Sequence, residues 1–184
     1  MKSQNNKKIK NCIHNFSKII QIEKEKIEKL KKISMILERY NKKRNNVHIF
    51  GNGGSATIAS HFSMDLTNNT SIRCFNYNDP SLITCYSNDF SYENWISRTI
   101  LKYGDYNDLL ILISSSGNSR NMINAYKAAK KKKFYKTVSF TGFEKQNKLG
   151  KLTDINFWIN SKNYNSVESA HNFFLLMLVD LLKK

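Results

Sequence analysis

The sequence predicts an α/β protein in which about five parallel strands are covered by helices on both sides. Three observations predict it. Short apolar runs alternate with longer amphipathic ones along most of the chain. One run, at 109–113, is apolar at every position, which requires burial on both faces as in a parallel sheet. Two runs stop abruptly at turns of small and hydroxylated residues, at 51–55 and 114–119, and each turn leads into a helical pattern.

Taken in order, residues from about 8 to 42 read as one long helix. Ile13, Phe16, Ile20, Ile27, Leu30, Ile33 and Leu37 recur mostly at three- and four-residue steps with Lys and Glu between them. Such a stripe needs a surface to cover, so the segment 1–45 packs on the core or on a partner subunit. A strand at 47–50 follows, then the glycine turn, then a helix over about 56–67. Further strands are expected at 72–75 and 82–86, and a helix over 92–103. The strand at 109–113 ends at the serine turn, whose helix continues to the lysines at 130–133, where positive charge suits the negative end of the helix dipole. A strand at 137–140, a polar segment at 144–151, a strand at 155–159 and a helix from about Ser166 complete the chain. With no linker or repeat, 1–184 reads as a single domain.

The net charge of +16 is unevenly spread, with 14 Lys/Arg against 4 Asp/Glu in residues 1–44. A basic helix can meet a phosphate backbone or an acidic partner, yet no nucleic-acid module is visible, so a solvated face is the expected role. Cys12, Cys74 and Cys85 form no paired spacing and read as reduced thiols. No apolar stretch has signal-peptide or membrane-span length, so a soluble cytoplasmic protein is expected.

Ligands of open α/β sheets sit at the carboxyl ends of the strands. The first turn there, Gly51-Asn52-Gly53-Gly54-Ser55, lets the backbone approach a ligand and opens on free helix N–H groups. The second, Ser114-Ser115-Ser116-Gly117-Asn118-Ser119, sets four hydroxyls and a glycine at another helix N-terminus, a cradle for an anion such as phosphate. Capping alone needs only one of those hydroxyls. A dinucleotide site is disfavoured because no acidic residue follows about 20 positions after the glycine turn, and no P-loop pattern occurs.

These two turns, in this order and separation, resemble the sugar isomerase (SIS) family and within it the phosphoheptose isomerases. The likeness extends through His61-Phe62, Leu66-Thr67, Ser87-Asn88-Asp89-Phe90, Ser97-Arg98, Gly104-Asp105, Thr141-Gly142 and Asp154-Ile155 into the last helix, nearly the whole chain. The resemblance implies a three-layer, flavodoxin-like SIS fold and a homotetramer or homodimer with shared sites. It also implies conversion of sedoheptulose 7-phosphate to an aldose 7-phosphate for bacterial surface polysaccharide. No cofactor is required by it, and zinc occurs in some members.

Carried over residue by residue, the resemblance assigns substrate and phosphate binding to Asn52, Gly53, Ser55, Asp89, Ser114, Ser115, Ser116 and Ser119. His61 matches a histidine of the first active-site helix. The family's catalytic glutamate falls on Asp65, and a nearby arginine on Asn69. In the last helix a glutamine falls on Glu168, and the catalytic histidine on Leu176. The remaining candidates are His61 and Asp65 at i, i+4 and Glu168 and His171 at i, i+3, each pair sharing a helix face. The family's acid–base pair is therefore not intact; if the two helices meet across a subunit interface, Glu168 can act as enediol base with His61 or His171 as partner. The same four residues are candidate metal ligands, while His171, beside Ala170, Phe173 and Phe174, also reads as a structural histidine. Two functions therefore compete: a sugar-phosphate isomerase, and a non-catalytic SIS module that binds a phosphorylated sugar or a protein partner. Direct nucleic-acid binding rests on net charge alone and is not expected.

Overall fold

The computed structural model describes residues 2–21, 23–41 and 44–183. Five strands, β1 (Val47–Gly51), β2 (Cys74–Phe75), β3 (Leu109–Ser114), β4 (Lys136–Thr141) and β5 (Ile155–Trp158), form one sheet in the order β2-β1-β3-β4-β5. Every neighbouring pair is parallel, with Ile49 opposite Ile111 and Ile113 opposite Phe140. This is the flavodoxin-like order, with its reversal beside β1 and β3.

Alternation along the strands builds two cores. Val47, Ile49, Leu109, Ile111 and Ile113 face α2 (Lys24–Tyr40), α3 (Gly54–Asn69) and α8 (Tyr164–Leu182). Phe50, Leu110 and Leu112 face the other way, against α5 (Trp95–Tyr103), α6 (Arg120–Lys131) and the short α7 (Lys148–Leu152). The continuous apolar run of β3 is thus buried on both sides, and the three-layer α/β expectation holds.

Three expectations are corrected. The long first helix is two helices, α1 (Lys2–Ile20) and α2. Glu23 is extended (ψ 153°) where α2 begins, and Ile22 lies outside the described residues. The stripe divides accordingly: Leu30, Ile33 and Leu37 are buried on the sheet, whereas Ile9 and Ile13 are exposed. The strand expected at 82–86 is helix α4 (Pro80–Phe90). Asp79 caps it by accepting from the Leu82 N–H at 2.9 Å, and Pro80 takes the first helical position, where a missing N–H costs nothing. The polar segment at 144–151 contains α7, capped by Asn147 through the Gly150 N–H at 2.8 Å. Among the described residues no helix is long and apolar enough to cross a membrane.

Candidate functional site

Strands β1 and β3 are neighbours, so their carboxyl-end turns lie side by side at the point where the strand order reverses. In the first turn Gly53 takes φ +54°, a left-handed conformation that strains any side chain, and so delivers the chain directly into α3. Asn52 is held by a reciprocal amide pair with Asn121 of α6, at 3.0 and 2.8 Å, which ties the two turns together. Ser55 is buried at the start of α3.

The serine turn is braced from outside. The Leu149 N–H donates to the Gly117 carbonyl at 2.8 Å, the Lys148 N–H donates to Asn118 Oδ1 at 3.2 Å, and the Gly142 N–H donates to the Ser115 carbonyl at 2.9 Å. Its hydroxyls, by contrast, are underused. Ser115 Oγ is buried with no hydrogen-bond partner. Ser119 is the N-cap residue of α6 but makes no side-chain capping bond, and its Oγ meets only Ser114 Oγ at 3.4 Å. Ser116 Oγ accepts the Asn118 N–H at 3.2 Å. Buried hydroxyls are normally paired, so the hydroxyls of this braced loop are donors available to a ligand.

These residues enclose one cavity of about 170 Å³, lined by Asn52, Ser55, Ser114, Ser115, Ser116, Ser119, Tyr164 and Glu168. Glu168 also borders a second, more open hollow of about 390 Å³ with Gly54, Thr57, His61 and Asn172. The carboxylate therefore borders both the serine-lined cavity and the hollow that contains the imidazole. It reaches that place because position 54 is glycine: a Cβ there would collide with the Glu168 carboxyl group. The carboxylate lies against the first residue of α3, the positive end of that helix dipole.

His61 and Asp65 stand one turn apart on α3, with Nε2 to Oδ2 at 3.3 Å, open to solvent on the imidazole side. Asp65 borders neither hollow. Leu176 of α8 is half-buried and carries no group that can move a proton.

Two candidates are not brought to the site. His171 is fully buried, its Nε2 paired with the Thr141 carbonyl at 3.1 Å and its ring edge-on to Phe140. Burial pushes its pKa down to about 4 against the weaker opposing effect of the Thr141 bond, so the ring stays neutral. It is a core histidine, turned inward by the helix phase that buries Ala170, Phe174 and Leu175. Asp89 lies in the exposed last turn of α4, next to Cys85 Sγ and Asn88 Nδ2, because the segment is helix rather than strand. With His171 withdrawn, the four proposed metal ligands do not gather, and no group of three or more His, Cys, Asp or Glu suited to a metal occurs among the described residues.

Sequence reasoning missed Tyr164, Asn121 and Tyr92. Tyr164 sits one turn before Glu168 on α8, packs edge-on to Phe143 at 4.7 Å and lines the anion cavity. Its i, i+4 spacing to Glu168 was available as a signal. Asn121, two residues after Ser119, and Tyr92, which donates to Asn52 Oδ1 at 3.1 Å, left no comparable pattern.

A SIS domain model matches residues 13–142. The chain is 33% identical over 168 residues to a phosphoheptose isomerase of Buchnera aphidicola subsp. Acyrthosiphon pisum, covering 88% of this chain and 86% of that protein. It is likewise 33% identical over 165 residues to one from Aliarcobacter butzleri, covering 86% and 85%. In three dimensions it superimposes on the phosphoheptose isomerase of Neisseria gonorrhoeae with a TM-score of 0.86 at 22% identity, covering 99% of both chains.

Proposed function

The chain belongs to the SIS-domain family, among proteins like the phosphoheptose isomerases, and from that premise we propose that it is a sugar-phosphate isomerase converting a ketose 7-phosphate to an aldose 7-phosphate. The observation that carries the reading is the position of Glu168. Its carboxylate borders both the serine-lined cavity and the hollow containing His61. A phosphate held by the 114–119 loop would extend its sugar past that carboxylate.

Aldose–ketose isomerisation moves one proton between adjacent carbons and another between their oxygens. In this scheme Glu168 removes the proton from the carbon next to the carbonyl, and the electron pair forms the enediol double bond. His61 supplies a proton to the carbonyl oxygen and takes one from the neighbouring hydroxyl. Glu168 then returns its proton to the former carbonyl carbon, giving the aldose with no net gain or loss. Asp65, 3.3 Å from His61, orients the imidazole. Asn52, Ser55 and the four serines bind the substrate. Asp89, exposed on α4, enters the scheme only if it reaches the site of a partner copy. The scheme needs no cofactor.

We place the activity in the cytoplasm, supplying heptose for surface polysaccharide, and in a homotetramer or homodimer. Exposed Ile9 and Ile13 on α1 and Phe173 and Leu181 on α8 favour such an assembly. A second reading, a non-catalytic module that binds a phosphorylated sugar, is favoured by one observation: leucine stands at 176 where the family's catalytic histidine is expected, and His171 faces the core.

Incubating the purified protein with sedoheptulose 7-phosphate, with and without added zinc, separates the two. Aldose product supports the isomerase, and activity only with zinc would bring the metal back into the site. Saturable binding that Ser116→Ala weakens, without turnover, supports the module. Absence of both binding and turnover rejects both.

A further inference from the structure

Three segments meet beside the anion cavity, and one of them lies outside every function assigned so far. The linker between α4 and α5 starts at Ser91, whose φ of +79° is a conformation that side chains rarely adopt. It is then fastened to α6. Arg120 pairs with the Glu93 carboxylate at 2.9 Å, and Asn124 Nδ2 donates to the Glu93 carbonyl at 3.1 Å and to Asn94 Oδ1 at 3.2 Å. Held this way, Tyr92 extends to the glycine turn, its hydroxyl 3.1 Å from Asn52 Oδ1.

The direction of that hydrogen bond follows from its neighbours. The Met122 N–H donates to Asn121 Oδ1 at 3.0 Å, so this end of the Asn121 amide is oxygen. The reciprocal pair then sets Asn52, whose Nδ2 donates to Asn121 Oδ1 and whose Oδ1 accepts from Asn121 Nδ2. Oδ1 can only accept, so Tyr92 donates. Asn52 Oδ1 is thereby filled by two donors. One N–H of its Nδ2 goes to Asn121, and the other has no partner among the described residues. Asn52 lines the anion cavity.

From this geometry we infer that Tyr92 is a positioning residue for the bound sugar phosphate: it locks the Asn52 amide so that an N–H, and not the carbonyl oxygen, is offered to a ligand oxygen. The inference rests on the sugar-phosphate reading of the cavity. An offered N–H selects a hydroxyl or phosphate oxygen, and so assigns the glycine turn a share in ligand recognition that the serine loop does not supply.

The test is a double-mutant cycle on Tyr92→Phe and Asn52→Ala, with dissociation constants for sedoheptulose 7-phosphate measured by calorimetry. Tyr92 is half exposed and its ring is kept, so the variant folds. Loss of one orienting hydrogen bond is expected to weaken binding by about three- to tenfold. In the Asn52→Ala background the same change is expected to have no further effect, since Tyr92 acts through Asn52. Equal losses in both backgrounds would mean that Tyr92 touches the ligand itself and would overturn the inference. So would an unchanged affinity in Tyr92→Phe. In ligand-free protein the Asn52 side-chain amide resonance is expected to shift in Tyr92→Phe; an unmoved resonance overturns the inference without recourse to any ligand. Wild-type protein that binds no sugar phosphate would overturn the functional reading, and this inference with it.

Discussion

The two ends of the central sheet hold their carboxylates in opposite ways. At the amino ends of β1 and β3, Asp108 is buried with both carboxylate oxygens paired, although His48 Nδ1 and Asn46 Oδ1 beside it have no partner. The carboxylate accepts the Asn46 and Asp105 N–H groups at 2.8 Å each and pairs with His48 Nε2 at 2.8 Å, beneath the rings of Tyr77 and Phe134. At the carboxyl ends of the same strands, Ser115 Oγ is buried without a partner, Ser119 forgoes capping, and Glu168 faces a cavity. A buried carboxylate with both oxygens paired stabilises the fold, whereas a carboxylate facing a cavity and hydroxyls without strong partners are available to a ligand.

Substitutions test that contrast, and the largest effect belongs to the Asp108 end. Asp108→Ala leaves the buried His48 Nε2 and two part-buried N–H groups unpaired and is expected to cost about 3–5 kcal/mol in urea unfolding. A loss under 1 kcal/mol would show that the pair contributes little. Burial alone would raise the Asp108 pKa, but the His48 bond and the two backbone N–H bonds outweigh it and hold the carboxyl below its usual range. A depressed carboxyl stabilises the fold above its unfolded pKa of about 3.9, and that stability disappears as pH falls through the lower folded value. Acid unfolding of Asp108→Asn should accordingly show a weaker pH dependence below about pH 4 than the parent. Parallel curves would assign the acid sensitivity to other carboxylates, Asp154 among them.

At the open end the effects move from stability to chemistry. Glu168→Gln is expected to lower kcat by about 10²–10⁴-fold, the usual worth of a general base. Its unfolding free energy should change by no more than about 0.5 kcal/mol. A large stability loss would make Glu168 part of the scaffold. Ser119→Ala should weaken phosphate-ester binding several-fold more than binding of the unphosphorylated sugar, as titration of both ligands would show; equal losses would remove the phosphate from the 114–119 loop. Smallest of all, Ser115→Ala should leave thermal stability unchanged or slightly raised, because the buried hydroxyl it removes has no partner in the free protein.

The difference between the ends also explains what could be read from the sequence. The carboxyl-end turns were legible because their chemistry is local: five consecutive residues at 51–55 and six at 114–119 carry the glycines and hydroxyls themselves. The 82–86 run was misread because a short apolar segment does not distinguish strand from helix. The cap signal of Asp79-Pro80 just before it settles the matter in the fold. His171 shares a helix face with Glu168 only loosely, and the turn of α8 that leaves Glu168 half-buried at the cavity buries His171 completely. The Asp108–His48 pair joins a residue of β1 to the one just before β3 and leaves no trace in local spacing.

The approach of Glu168 to Gly54 bears on how this site can be altered. The two positions come from opposite ends of the chain yet behave as one element of shape. Any side chain at 54 must displace the carboxylate, and a bulkier residue at 168 must press on the start of α3. A library that varies position 168 to accommodate other sugars is therefore confined to groups that fit against a bare α-carbon. Changing both positions together opens shapes that neither reaches alone, at the expense of moving the proposed base away from the positive end of the helix.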